Sequence, residues 1–136
     1  MELTMKELIE EYSSNLKKRN NLQAKLAKLK EYDTKITSSF SDTGGGKGSV
    51  SSKVERHIIR ILETERELRN IENDLSIVDT SQKVLNNKEN EVIDLIKLGY
   101  RNKLSKIAKI IGKDKKYVYT TRNRAIKKMC EYIERG

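Results

Sequence analysis

Leu104-Ser105-Lys106-Ile107-Ala108-Lys109-Ile110-Ile111-Gly112-Lys113-Asp114-Lys115-Lys116-Tyr117-Val118 is the stretch on which the fold turns. Leu104, Ile107, Ala108 and Ile111 fall on one face of a 3.6-residue helix. Gly112 follows the last of them, where a helix end favours a left-handed residue, and Asp114 is placed to cap the next helix. Ala108 is small where two helices would cross, and Val118, one turn into the next helix, faces back onto Ile107 and Ile111. Two short helices joined through a glycine-bearing turn of three or four residues are what a helix-turn-helix requires.

Both flanks extend the pattern. Asn87 to Leu98 carries Val92, Ile93, Ile96 and Leu98 and is closed by Gly99, while Lys115 to about Ile133 carries Val118, Ala125, Ile126 and Met129. Facing stripes on three short helices predict a compact trihelical domain over residues 84–136.

Farther upstream, Met5, Leu8, Tyr12, Asn15, Arg19, Leu22, Leu26, Leu29, Asp33 and Ile36 step by alternating threes and fours, a heptad seam with polar interruptions. A first helix is expected from about Thr4 to Tyr32 or slightly beyond. Asn15 and Arg19 either fix the register of that seam or are simply exposed. The segment Thr37 to Ser52 is rich in Ser and Gly, which predicts a flexible loop. Val54, Ile58, Ile61, Leu62, Leu68, Ile71, Leu75 and Val78 restart a helical stripe as far as about Val78, with Ser51 or Ser52 as cap and Glu55 as capping-box partner. Neither helix can bury its stripe alone, so the two are expected to pair over residues 1–80 as an antiparallel, coiled-coil-like hairpin, closed within one chain or exchanged between protomers. A chain with 36% charged residues, no Pro, no Trp and one Phe suits solvated helices better than a layered core, and the predicted fold class is all-α.

Charge placement points to a partner. Residues 1–82 hold fourteen Lys and Arg against fourteen Asp and Glu; residues 83–136 hold fifteen against six, which is the whole net excess of +9. After Asp114 the last helix offers Lys115, Lys116, Tyr119, Thr120, Arg122, Asn123, Arg124 and Lys127 with hardly an acid among them. Such a face attracts phosphate. In a helix lying in the major groove the N-terminal side chains reach base edges while cations elsewhere hold the backbone. Double-stranded DNA is therefore the expected partner.

The segments Leu85-Asn86-Asn87-Lys88-Glu89-Asn90-Glu91-Val92-Ile93, Lys103 to Gly112, Tyr117-Val118 and Arg124-Ala125-Ile126-Lys127-Lys128-Met129 resemble the fourth conserved region of sigma factors, over about the last fifty residues. The whole layout is similar to small phage-encoded transcription regulators of the ArpU and RinA type, linked to late genes. The resemblance implies base reading by Lys115, Lys116, Tyr119 and Thr120, with Asn123 beside them. It places Lys103, Ser105 and Lys106 on phosphate, joined by Arg122, Arg124 and Lys127. RNA polymerase is a further expected partner, and a second copy of the chain through the N-terminal helices another. Lys113 and Thr121 stand where the family buries aliphatic residues, so the core is expected to be thin and to lean on the hairpin. The chain is too short to hold the promoter-melting sigma domains, and a complete initiation factor is not expected.

Other signals carry less. Gly44-Gly45-Gly46-Lys47-Gly48-Ser49 lacks the Lys-Ser/Thr pair and the preceding strand of a phosphate-binding loop. His57 is the only histidine, and the carboxylates scatter along helices, so no enzyme site, metal or cofactor is expected. Cys130, the lone cysteine, is expected half-buried and without a role. No apolar run has the length of a membrane span or signal-peptide core, which predicts a cytoplasmic protein without a membrane partner. Two alternatives stay open: a DNA-packaging adaptor like a small terminase subunit, against which the C-terminal position of the basic helix argues, and a sigma-like protein acting mainly through polymerase contact.

Overall fold

A computed structural model describes the backbone of residues 2–43, 48–100 and 103–135, and the side chains of residues 4–32, 52–100 and 103–135. Among these residues the fold is all-helical. The elements are α1 (Glu2–Glu10), α2 (Tyr12–Thr43), α3 (Gly48–Ser81), a single 3-10 turn at Gln82–Val84, α4 (Asn87–Lys97), α5 (Leu104–Ile111) and α6 (Lys115–Arg135). Backbone hydrogen bonds Glu11 N to Glu7 O and Asn15 N to Glu11 O, both 2.8 Å, carry the helical ladder from α1 into α2.

The long helices reach farther than their composition suggests. The expected loop at residues 37–52 is helical up to Thr43 and again from Gly48, so Ser51 and Ser52 lie inside α3 and do not cap it. Once a helix is under way each further residue gains a hydrogen bond, and Ser or Thr costs well under about 1 kcal/mol against Ala. The run at 44–47 and the side chains of the seam positions Asp33 and Ile36 and of Ser51 lie outside the described residues.

Two compact units share the chain: Met1–Leu16 with Asn73–Gly136, and Lys17–Glu72. The domains expected from the sequence were residues 1–80 and 84–136. In the first unit one core joins Met5 and Ile9 of α1, Val78 of α3 and Leu85 to Val92, Ile93 and Ile96 of α4, Ile107 and Ala108 of α5, and Val118, Ala125, Ile126, Met129 and Cys130 of α6. The helical stripes read from the sequence account for most of it. Leu98 departs, being 71% exposed at the cap of α4, because the stripe ends where the helix does. Cys130 is fully buried, not half-buried, in the cluster that α1 completes. The wider unit follows from packing: α6 buries Thr121, Ala125, Met129 and Cys130, and α1 packs on both α4 and α6.

In the second unit α2 and α3 pair. His57 Nε2 lies 2.7 Å from the Leu29 carbonyl oxygen and its ring meets Tyr32 edge-on at 5.1 Å, and Lys30 Nζ is 3.6 Å from Glu65 Oε1. The α2 seam has the expected phase: Asn15 is buried, Arg19, Leu22, Leu26 and Leu29 half-buried. The α3 seam does not. Its inward positions are Val54, His57, Ile61, Thr64, Leu68, Ile71, Leu75 and Val78, while Ile58 and Leu62 point outward. Strict three-four spacing selects His57 and Thr64, which hydrophobicity passes over; the Thr64 hydroxyl returns a 2.7 Å bond to the Arg60 carbonyl, which satisfies it inside the seam.

Ile9 is 1% exposed in a core shared with α4 and α6. Ile9→Ala is expected to lower unfolding stability by about 2–4 kcal/mol, read as a reduced urea midpoint for loss of helical circular dichroism. An unchanged midpoint would mean that residues 84–136 stand without α1.

Candidate nucleic-acid interface

The interface is built from the turn between α5 and α6. Gly112 adopts φ +81°, the left-handed conformation that ends α5, and its N–H bonds the Ala108 carbonyl at 2.8 Å, with the Lys113 N–H on the same oxygen at 3.0 Å. Asp114 then caps α6, its Oδ1 accepting the Tyr117 N–H at 2.7 Å. Tyr117 is half-buried and Lys113 Nζ lies 5.7 Å from its ring, so Lys113 is a surface cation over an aromatic and not a core residue. Thr121, at the other substituted position, is buried at 3% exposure.

Beyond the cap, α6 turns one face to solvent. Lys115, Lys116, Tyr119, Thr120, Asn123, Arg124 and Lys127 are all exposed, and no acidic residue intervenes before Glu131. On α5 and its N-terminal flank, Lys103, Ser105 and Lys106 are exposed as well. The Lys103 side chain does not cap α5, and its carbonyl accepts the Lys106 and Ile107 N–H groups at 2.9 and 3.1 Å.

Arg122 is the correction. Expected as a phosphate contact, it is only 9% exposed, its guanidinium carbon 5.1 Å from the Tyr119 ring, with Nε and Nη2 donating to Asn123 Oδ1 at 3.4 and 3.3 Å. It lies toward the buried side of α6, one helical turn from Tyr119, and there it restrains two expected base-reading side chains instead of meeting the backbone of a ligand.

Two polar contacts set the orientation of this surface, and the sequence reading named neither. Asn86 and Glu89 form a capping box on α4: Glu89 N–H donates to Asn86 Oδ1 at 2.9 Å and Asn86 N–H to Glu89 Oε1 at 3.0 Å. Glu89 is fully buried, and its Oε1 also accepts Lys128 Nζ of α6 at 3.0 Å, while Oε2 has no partner among the described residues. The Asn-x-x-Glu spacing was the available signal. The second contact centres on Lys97, whose ammonium donates to Gln82 Oε1 at 2.6 Å and Asp79 Oδ1 at 3.1 Å and sits 4.3 Å from the Tyr12 ring. The Tyr12 hydroxyl donates to the same Asp79 carboxylate at 2.7 Å, and Gln82 Nε2 bonds Asp94 Oδ1 at 2.9 Å. Nothing local in the sequence announces it, because its members are up to 85 positions apart.

Among the described residues no group of three or more His, Cys, Asp or Glu is placed to hold a metal ion, and no helix is long and apolar enough to cross a membrane. No protein-family model matches the chain, and neither a curated protein nor a solved structure matches it at a significant level.

Asp114→Ala removes the cap of α6 and is expected to cost about 1 kcal/mol, with faster hydrogen exchange at the Tyr117 amide. Asp114→Asn, which retains an accepting oxygen, should lose only a small part of that. Equal exchange in all three proteins would refute the capping role.

Proposed function

We propose that the protein is a transcription regulator that binds double-stranded DNA with sequence preference through a helix-turn-helix formed by α5 and α6. The observation that carries this reading is the exposed, acid-free face of α6 from Lys115 to Lys127, directly behind a capped three-residue turn. In the proposed complex α6 enters the major groove. Lys115, Lys116, Tyr119, Thr120 and Asn123 meet base edges there, where lysine suits guanine acceptors and an amide suits adenine. Arg122, by holding the Asn123 oxygen, biases that amide toward donating.

Lys103, Ser105, Lys106, Arg124 and Lys127 take the phosphates. The N-terminus of α5 supports this, since the positive end of the helix dipole favours an anion. The late-gene context follows from the likeness to ArpU- and RinA-type regulators alone. RNA polymerase is proposed as a second partner on the sigma-like resemblance, and a cytoplasmic location accords with a DNA substrate.

Anisotropy titrations on duplex DNA test the reading. With about five phosphates neutralised, log affinity should fall with log salt at a slope near −4 to −5. A flat response would refute it.

Selection from a random duplex pool supplies the preferred site for the second test. Lys116→Ala should reduce the preference for that site over random duplex about tenfold. Lys106→Ala should weaken both duplexes alike and flatten the salt slope by about one. Equal loss on both duplexes for both variants would contradict the division of roles.

A further inference from the structure

The unit Lys17–Glu72 is short of burial. Among its described side chains the only buried ones are His57 and Thr64; every apolar seam residue of this stretch, including Leu22, Leu26, Leu29, Ile61 and Leu68, remains half-exposed. Two helices cover only one line of each other. On α3 a second apolar strip lies off the seam, with Ile58 at 46%, Ile59 at 51% and Leu62 at 55% exposure.

At 100° per residue, Ile58, Leu62, Glu55, Arg66 and Ile59 occupy a single arc of about 100°, centred roughly 140° from the seam. All five are exposed. The acid stands at the N-terminal end of this strip and the base at its C-terminal end, about 16 Å apart along the axis. A half-turn about a perpendicular axis between Arg60 and Ile61 lays four of these five residues on one another in a second copy, Ile58 alone meeting the position of Glu63. Glu55 of each copy then opposes Arg66 of the other, and Ile59 opposes Leu62. Between residues 55 and 66 the charge order along this arc is its own complement, which an isologous interface demands and a foreign partner does not.

We propose that the outer face of α3 is a self-docking surface that joins two copies of this chain antiparallel about a two-fold axis, with Ile58, Ile59 and Leu62 at its centre and reciprocal Glu55 to Arg66 pairs at its ends. The proposal goes beyond the DNA reading and does not depend on it. The strip is smaller than the roughly 800 Å² per partner of a standard stable complex, so association on the order of 10 µM is expected from this face alone. On DNA the dimer presents two α6 helices, and paired half-sites would raise its occupancy through effective concentration.

Sedimentation of the full chain without DNA, from about 2 to 300 µM, reads the proposal directly, and circular dichroism checks that each exposed-site variant keeps its helix content. A reversible monomer–dimer equilibrium is expected. Leu62→Ser should weaken it at least tenfold. Glu55→Arg and Arg66→Glu should each weaken it on the order of tenfold, because each change introduces two like-charge contacts per dimer. The double variant Glu55→Arg with Arg66→Glu should return to within about threefold of the parent, since only reciprocal pairing across a two-fold restores both ends at once. A monomer throughout, a ring larger than a dimer, a dimer indifferent to Leu62→Ser, or a double variant no better than the singles would each overturn the proposal. Failure here leaves the salt-slope test of DNA binding intact.

Discussion

The burial of Met5 and Ile9 against α4 and α6 is the constraint on which the rest depends. Three short helices of 11, 8 and 21 residues leave one side of this core to be closed by another element. The N-terminal helix supplies the missing side. Its side chains enter the same cluster as Val92, Ile107 and Met129, so the first residues of the chain and the last helix belong to one cooperative core.

Within that core, polar contacts aim the helices that apolar packing only holds. Apolar burial is non-directional. Glu89 acts twice, closing the capping box of α4 and accepting the α6 lysine at position 128, which ties the start of one helix to the far half of the other. Lys97 gathers Tyr12, Asp79 and Gln82 from three consecutive elements around a single ammonium. Arg122 works on a smaller scale and restrains Tyr119 and Asn123 along its own helix. The proposed interface thus rests on a scaffold whose orientation is specified by charge-assisted bonds.

Local signals were legible in the sequence where one residue type has one strong preference. Gly112 and Asp114 fixed the turn because a left-handed cap and a side-chain acceptor are local requirements, and α5 is bounded as read from them. The heptad seam of α2 was legible for the same reason. The seam of α3 was misread where hydrophobicity and spacing disagreed: Ile58 and Leu62 looked like seam residues, yet the regular three-four step passes through His57 and Thr64. The Gly/Ser-rich stretch was read as loop over its whole length, although helix propagation needs only hydrogen-bonded continuity and not high propensity.

The sequence by itself determined the helical class, the turn, the caps at Asp114 and Gly112, and the concentration of positive charge in the last third, because each depends on neighbours within about one helical turn or on simple counting. Tertiary structure alone decided that α1 completes the core, that Arg122 is buried while Lys116 is free, that Glu89 meets Lys128, and that a second apolar strip on α3 faces outward. Those outcomes depend on which faces the chain brings together across dozens of residues. A pattern of residue types does not specify that until packing has chosen one arrangement.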